Sequence, residues 1–501
     1  MQVLSQNLFM PLSNQLKNQH LLWRAGFGPA VEQLGDLQEF TPKEFYQALV
    51  KASSRKPNHI DVADNYLQGL VQGIGVAGQM QRKELTPEEK RTIQRKNREG
   101  VRNLNITWMR EMVNTGSQLL EKMAFFWHGH FACRNLNVFY QQQMLNVIRQ
   151  NALGNFGDLL KAVSQSPAML FFLNNQQNRK GHPNENFARE VMELFTLGRG
   201  NYSENDIKEA ARAFTGWGAN VQGDFVFRKG QHDDGTKTVL GHSGRFDGTD
   251  VLNILLEEKQ TARFICTKIY RFFVNDQPDQ QHVQWLADRF YQSNYDISKL
   301  MEDIFTSDWF YEEKNIGTRI KSPVELLVGI QRMLPMTLQD DASMMIIQRI
   351  LGQVLFYPPN VAGWPGGKSW IDSSTLMMRM RVPQLFNDED EINIKPKDDD
   401  DQMMGRQDDG APAVPKPKAQ RVAGGRGTRP INANIDWTAY IGHFSKTQRE
   451  ALINAMAGIL LQTNTAVGAD VIRQYADDSS REGFIRSATI QIMSTPEYQL
   501  C

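Results

Sequence analysis

The chain has 501 residues, 41% of them hydrophobic, so it can bury a large core, and at that length roughly two to four average domains are expected. Its 56 basic and 56 acidic side chains cancel, which leaves no net field to draw it to nucleic acid or to an anionic membrane. Cys133, Cys266 and Cys501 form no CxxC pair, which argues against a disulfide framework and a thiolate zinc site and for free thiols.

The first stretch, "MQVLSQNLFMPLSNQLKNQHLLWRAGFGPA", lacks the basic start and the apolar run of about 7–15 residues of a secretory signal. No later run approaches the roughly 18 apolar residues that a membrane span needs. A cytoplasmic location is the default expectation, with no transmembrane segment. "GIGVAG", residues 73–78, spells GxGxxG, yet a helical pattern rather than a strand precedes it, so a helix-breaking loop is expected and not a dinucleotide site. "QRKELTPEEKRTIQRKNREG" keeps helix formers behind a Thr-Pro-Glu-Glu start and predicts an exposed helix.

In "EKMAFFWHGHFAC" the run from Leu119 to Trp127 is apolar enough to predict a buried helix. At about 100° per residue His128 and His130 would point some 200° apart if that helix continued. A break at Gly129 with extended backbone beyond it would return both imidazoles to one side; the alternative is a pair of core histidines satisfied by backbone carbonyls.

"HPNENFARE", residues 182–190, opens another helix, with Phe187, Ala188, Val191, Leu194 and Phe195 on its apolar side and Gly198 as its stop. Asn186, Glu190 and Glu193 share the polar side. Arg189 lies four residues from both Glu185 and Glu193, so ordinary surface ion pairs account for part of that charge. In "GDFVFRKGQHDDGTKTVLG", Phe225–Phe227 and Thr238–Leu240 predict one hairpin turning at Asp234-Gly235, with His232 and Asp233 near its tip. "GWPGGKSW", residues 363–370, has three residues between its first glycine and Gly367-Lys368-Ser369 where a Walker loop needs four, so an aromatic, glycine-rich surface loop is expected.

From 388 to 432 charge, Pro and Gly dominate and branched apolar residues nearly vanish, which predicts a disordered insertion. The expected organisation is a helical core at 1–387, the insertion at 388–432, and a C-terminal helical segment at 433–501 packing on the core. The fold class is mainly α, a multi-helix globular fold with one small β-hairpin.

HExxH, GxSxG and a papain-like cysteine context are absent, so any site is assembled from dispersed residues. Three segments hold five of the nine histidines, each beside acidic residues, and imidazole with carboxylate is the usual ligand set for zinc, iron or manganese. The first expectation is therefore a metal-assisted hydrolase acting on a polymer or cell-envelope component. His128, His130, His182, His232, Asp233 and Glu190 are the candidate ligands of a divalent transition metal, Glu193 the general base, and Arg189 a stabiliser of negative charge. A second expectation keeps Glu190 and Glu193 as a retaining carboxylate pair in a sugar cleft lined by Trp217, Trp364 and Trp370. A third is a non-catalytic partner or assembly protein, with the polar cluster as a buried network.

The blocks "HLLWRAGFGP", "EKMAFFWHGHFAC", "SPAMLFFLNN", "HPNENFAREVMELFTLGRGNYSENDIKEAARAFTGW", "HDDGTKTVLG", "IKSPVELLVG" and "FYPPNVAGWPGGKSWI" resemble, in that order, the signature blocks of a bacterial family catalogued as domain of unknown function 1800. The resemblance covers about residues 20–380 and resumes through the tail to "STPEYQL". It assigns no activity. It implies a sulfatase-like partner encoded by a neighbouring gene, and it marks Trp127, His128, His130, Phe131, Asn184, Glu185, Asn186, Arg189, Glu190, Glu193, His232, Asp233, Lys237 and residues 363–367 without giving them roles. Many members are exported, whereas this chain shows no recognisable signal.

Overall fold

Helix starts in this chain are set by short polar side chains answered three residues later by an acid. Thr41, Thr86, Ser203 and Ser322 each accept a backbone N–H, while Glu44, Glu89, Asp206 and Glu325 reach back to the cap's own N–H. The Thr86 cap begins Pro87–Asn114, so the Thr-Pro-Glu-Glu start lies where it was expected. The computed structural model describes residues 12–72, 85–220, 222–387, 391–392, 429–431, 433–463 and 466–501. The "GIGVAG" loop and most of the 388–432 insertion lie outside the described residues.

The fold is mainly α, with strands confined to four two-stranded antiparallel ribbons among the described residues. The single expected hairpin is replaced by two. Trp217–Ala219 pairs with Phe225–Phe227, and Lys237–Val239 pairs with His242–Gly244. Leu240 and Gly241 adopt φ of 48° and 83° and close a two-residue turn, so the second strand finds its partner downstream instead of across Asp234-Gly235. A third ribbon joins Met336–Leu338 to Ala433–Ile435.

One hydrophobic cluster runs from Leu21 through Phe187 and Leu300 to Leu452, Ile485 and Tyr498, so 12–387 and 433–501 share a core. Arg319 and Cys501 exchange backbone hydrogen bonds of 3.1 and 2.7 Å within it. Cys133, Cys266 and Cys501 are free and buried. No helix among the described residues is long and apolar enough to cross a membrane.

At the centre lies Gln118–His130, nearly all of it buried, as its apolar run predicted. Two charged residues inside it are tied to different neighbours. Glu121 accepts from Arg149 Nη2 at 2.6 Å and from Trp108 Nε1 at 2.8 Å, which joins it to the helices Val138–Asn151 and Pro87–Asn114. The Lys122 ammonium bonds Glu325 Oε1, which joins it to Pro323–Met333. Arg319 Nη1 reaches the same Oε1 at 3.2 Å, and Glu325 Oε2 accepts the Ser322 N–H at 2.8 Å. Lys122 and Glu325 are both 0% exposed. Burial alone would push the Glu325 carboxyl up, but Arg319 and Lys122 outweigh it and hold the group well below the usual carboxylate range. Glu325→Gln removes the carboxylate that pairs with both buried cations and is expected to lower folding stability by about 3–5 kcal/mol in denaturant titrations. Glu482→Gln, at an exposed pair with Arg486, should change it by less than about 1 kcal/mol.

Candidate functional site

Of the candidate site residues singled out in the sequence, His130, Trp364 and Trp370 meet at one cavity, and the others lie elsewhere. Gln118–His130 continues through Gly129, so the chain does not break there, the two imidazoles diverge, and each is a buried ring partnered by a backbone group. His128 is 3% exposed, accepts the Phe356 N–H on Nε2 at 3.3 Å, and is ringed by Trp108, Phe356 and Trp364 at 4.8–5.5 Å. Burial pushes its pKa down to about 3. His182 is exposed beside a short bridge with Arg179. His232 is buried, with Nδ1 3.0 Å from Thr215 O. Asp233 is paired with Arg212 at 2.8 Å, and that guanidinium holds its carboxyl down at about 2. Among the described residues no group of three or more His, Cys, Asp or Glu side chains gathers closely enough to hold a metal ion.

The helix after Pro183 also departs from its expected register. Asn186–Glu190 is α-helical, but Val191–Thr196 winds as a π-helix, with Thr196 Oγ1 donating to Val191 O at 2.7 Å. Arg189 pairs with Glu204 at 2.8 Å and Glu185 at 3.3 Å rather than with Glu193. Glu193 instead accepts from Tyr202 at 2.6 Å and Arg199 at 2.8 Å, which keep its pKa low and occupy the lone pairs a general base would use. Glu190 is half-buried with no hydrogen bond or ion pair to its carboxylate among the described residues, and burial followed by the nearby Glu193 raises its pKa. Trp217 is core, packed on Phe214 and Phe225.

What the π segment does is deliver its last carbonyls to a cleft. The final turn of any helix leaves C=O groups without intrahelical donors. Here Phe195 O lies 3.2 Å from His130 Nε2, and Leu194 O accepts from Lys268 Nζ at 3.2 Å. A carbonyl can only accept, so Nε2 carries the imidazole proton and Nδ1 accepts from the Lys268 ammonium at 3.0 Å. Two of the three N–H bonds of Lys268 are thereby used. Burial pushes its pKa down to about 8, and no carboxylate among the described residues pairs with it.

Lys268 and His130 line a cavity of about 440 Å³. Phe126 and Phe272 supply apolar walls, Arg271 and Arg319 two more cations, and Asp276 a carboxylate. The 363–370 loop forms another wall, with Trp364 and Trp370 in it, whereas Trp217, Glu190 and Glu193, expected in one cleft with them, do not line this cavity. Gly363 has φ of 83°, and a Cβ there would lie 2.5 Å from Gly129 O, so only glycine lets the loop seat on the end of the central helix. Trp364 Nε1 is buried with no acceptor. Lys268, Arg271, Arg319 and Asp276 escaped the sequence reading: Lys268 lies at the edge of the amphipathic helix Lys259–Phe273, where a lysine ordinarily snorkels to water.

His128 gives this site a pH signature. Unfolded, it binds a proton below about 6.5; folded, it stays neutral down to about 3, so the stability it confers is lost as pH falls between those values. Its share of the slope is about 1.4 kcal/mol per pH unit. Denaturant titrations from pH 6 to 4.5 should show a slope shallower by about that amount in His128→Phe than in the wild type.

No curated protein and no solved structure matches this chain. The family model described as "Protein of unknown function (DUF1800)" matches residues 20–500, a span that takes in the cleft, its loop and both buried ion pairs. The chain belongs to that family, as its signature blocks suggested.

Proposed function

We propose that the protein is a hydrolase whose active site is this cleft, with Lys268 as its proton donor. One observation carries the reading: Lys268 is fixed by His130 and Leu194 O, has one N–H uncommitted among the described residues, and lines the cavity. A pKa of about 8 keeps the amine protonated at neutral pH while leaving it more acidic than an ordinary lysine, which suits a general acid. Donors held in a water-poor site stabilise charge that develops on a substrate oxygen.

In this reaction water adds to the scissile centre and the bond to the leaving oxygen breaks. Lys268 gives that oxygen its proton and recovers one from the attacking water, so the amine ends as it began. His130 is a positioning residue: its Nε2–H bond to Phe195 O sets the tautomer that receives Lys268. The reading uses no metal ligand set, because the structure disperses the imidazoles and carboxylates first expected to form one.

The test is turnover of phenyl and 4-nitrophenyl carboxylate, phosphate and sulfate esters by wild type and Lys268→Met. For the phenyl ester of the accepted class, kcat should fall by about 10²–10⁴-fold in the variant. The loss should shrink for the 4-nitrophenyl ester, whose leaving group needs no proton, a contrast that a merely structural role would not produce. Wild-type kcat should decline as pH rises through about 8, since the protonated amine is the active form. No turnover of any ester, or a Lys268→Met variant as fast as wild type on phenyl esters, would contradict the proposal.

A further inference from the structure

We infer that the molecule this cleft accepts carries an oxyanion group on a ring, and that Arg271 is the residue that selects the anion. The inference rests on the hydrolase reading for the location of the reaction, but its own support is electrostatic and geometric. Three cations line the cavity, Lys268, Arg271 and Arg319, against one carboxylate, Asp276. Behind Arg319, Glu325 is shared between Arg319 and Lys122, so it is not free to compensate the cavity's other cations. A chain whose charges cancel overall thus concentrates positive charge at one cavity.

The state of each cation identifies the one free to take a ligand. Arg319 is committed to Glu325 and lies over the Phe272 ring at 4.5 Å. Lys268 has given two N–H bonds to His130 and Leu194 O. Arg271 follows Lys268 by three residues on the same helix, lines the same cavity, is exposed, and has no ion pair among the described residues. Its planar fork of N–H donors matches two oxygens of one oxyanion.

The donors already on the cavity point the same way. Lys268, which lines the cavity with one N–H uncommitted among the described residues, calls for an acceptor atom from a ligand. Phe126, Phe272, Trp364 and Trp370 give the cavity an apolar lining against which the ring of such a ligand would pack. Phosphate, sulfate and carboxylate share the required chemistry, and which of them is taken is left to the measurement.

Isothermal titration calorimetry at low ionic strength, with phenyl phosphate, phenyl sulfate and benzoate against neutral phenol, tests the inference directly. At least one anion should bind while phenol does not, and added sodium chloride should weaken it. Arg271→Ala should weaken that anion by about tenfold or more at unchanged melting temperature, with Arg271→Lys between the two. The arm that binds most tightly names the oxyanion. Anions binding no better than phenol, or binding Arg271→Ala as well as wild type, would overturn the inference. Ester turnover that persists without anion selectivity sinks this inference alone, whereas anion binding by a protein that hydrolyses no ester sinks the hydrolase reading alone.

Discussion

The structure depends on a carboxylate that has no access to water. Glu325 caps its own helix through Ser322 and pairs with Lys122 from the central helix and Arg319 from the strand-like segment before it. A buried carboxylate is tolerated only when its lone pairs are filled and its charge is balanced, and here both conditions need three chain segments in register. The local cap and the long-range tie use the same side chain, so helix initiation and tertiary packing are coupled. Glu121 repeats the device on the other side of the central helix with Arg149 and Trp108.

Those two anchors fix the roll of Gln118–His130, and the roll decides what its C-terminal end presents. His128 turns into an aromatic pocket and becomes a neutral packing residue. Gly129 takes the 363–370 loop on its carbonyl, and His130 turns to the π segment and Lys268. The cavity is thus a consequence of buried charge pairing several turns away. Its walls are low in polarity while its cations are unevenly compensated, which is the condition under which a hydrogen-bond donor is most effective.

Much of the fold is legible in the sequence because it is written in local rules. "SPVE" and "TPEE" spell capping boxes, and the run from Leu119 to Trp127 declares its burial. Strand segments could be located, but their partners could not, since Leu240-Gly241 forms a tight turn without any of the usual hairpin dipeptides. The π turn is invisible because Phe187, Ala188, Val191 and Phe195 also satisfy a 3.6-residue period. Glycine at 129 reads as a stop, yet a helix packed on every side absorbs its propensity cost of about 1 kcal/mol. The cleft was least legible: His130, Trp364 and Trp370 stood out in short motifs, but the segments near 270 and 320 that supply Lys268, Arg271, Asp276 and Arg319 form none, whereas the conspicuous "HPNENFARE" charges go largely to surface ion pairs.

The central claim, that Lys268 is a desolvated amine offering a proton to the cavity, is tested most directly by NMR titration of protein carrying 15Nζ-labelled lysine. The account predicts a resonance that titrates near 8, disappears in Lys268→Met, and is distinct from that of the buried Lys321, pushed down by burial to about 7. A Lys268 resonance titrating with the ordinary surface lysines, above about 10, would contradict it.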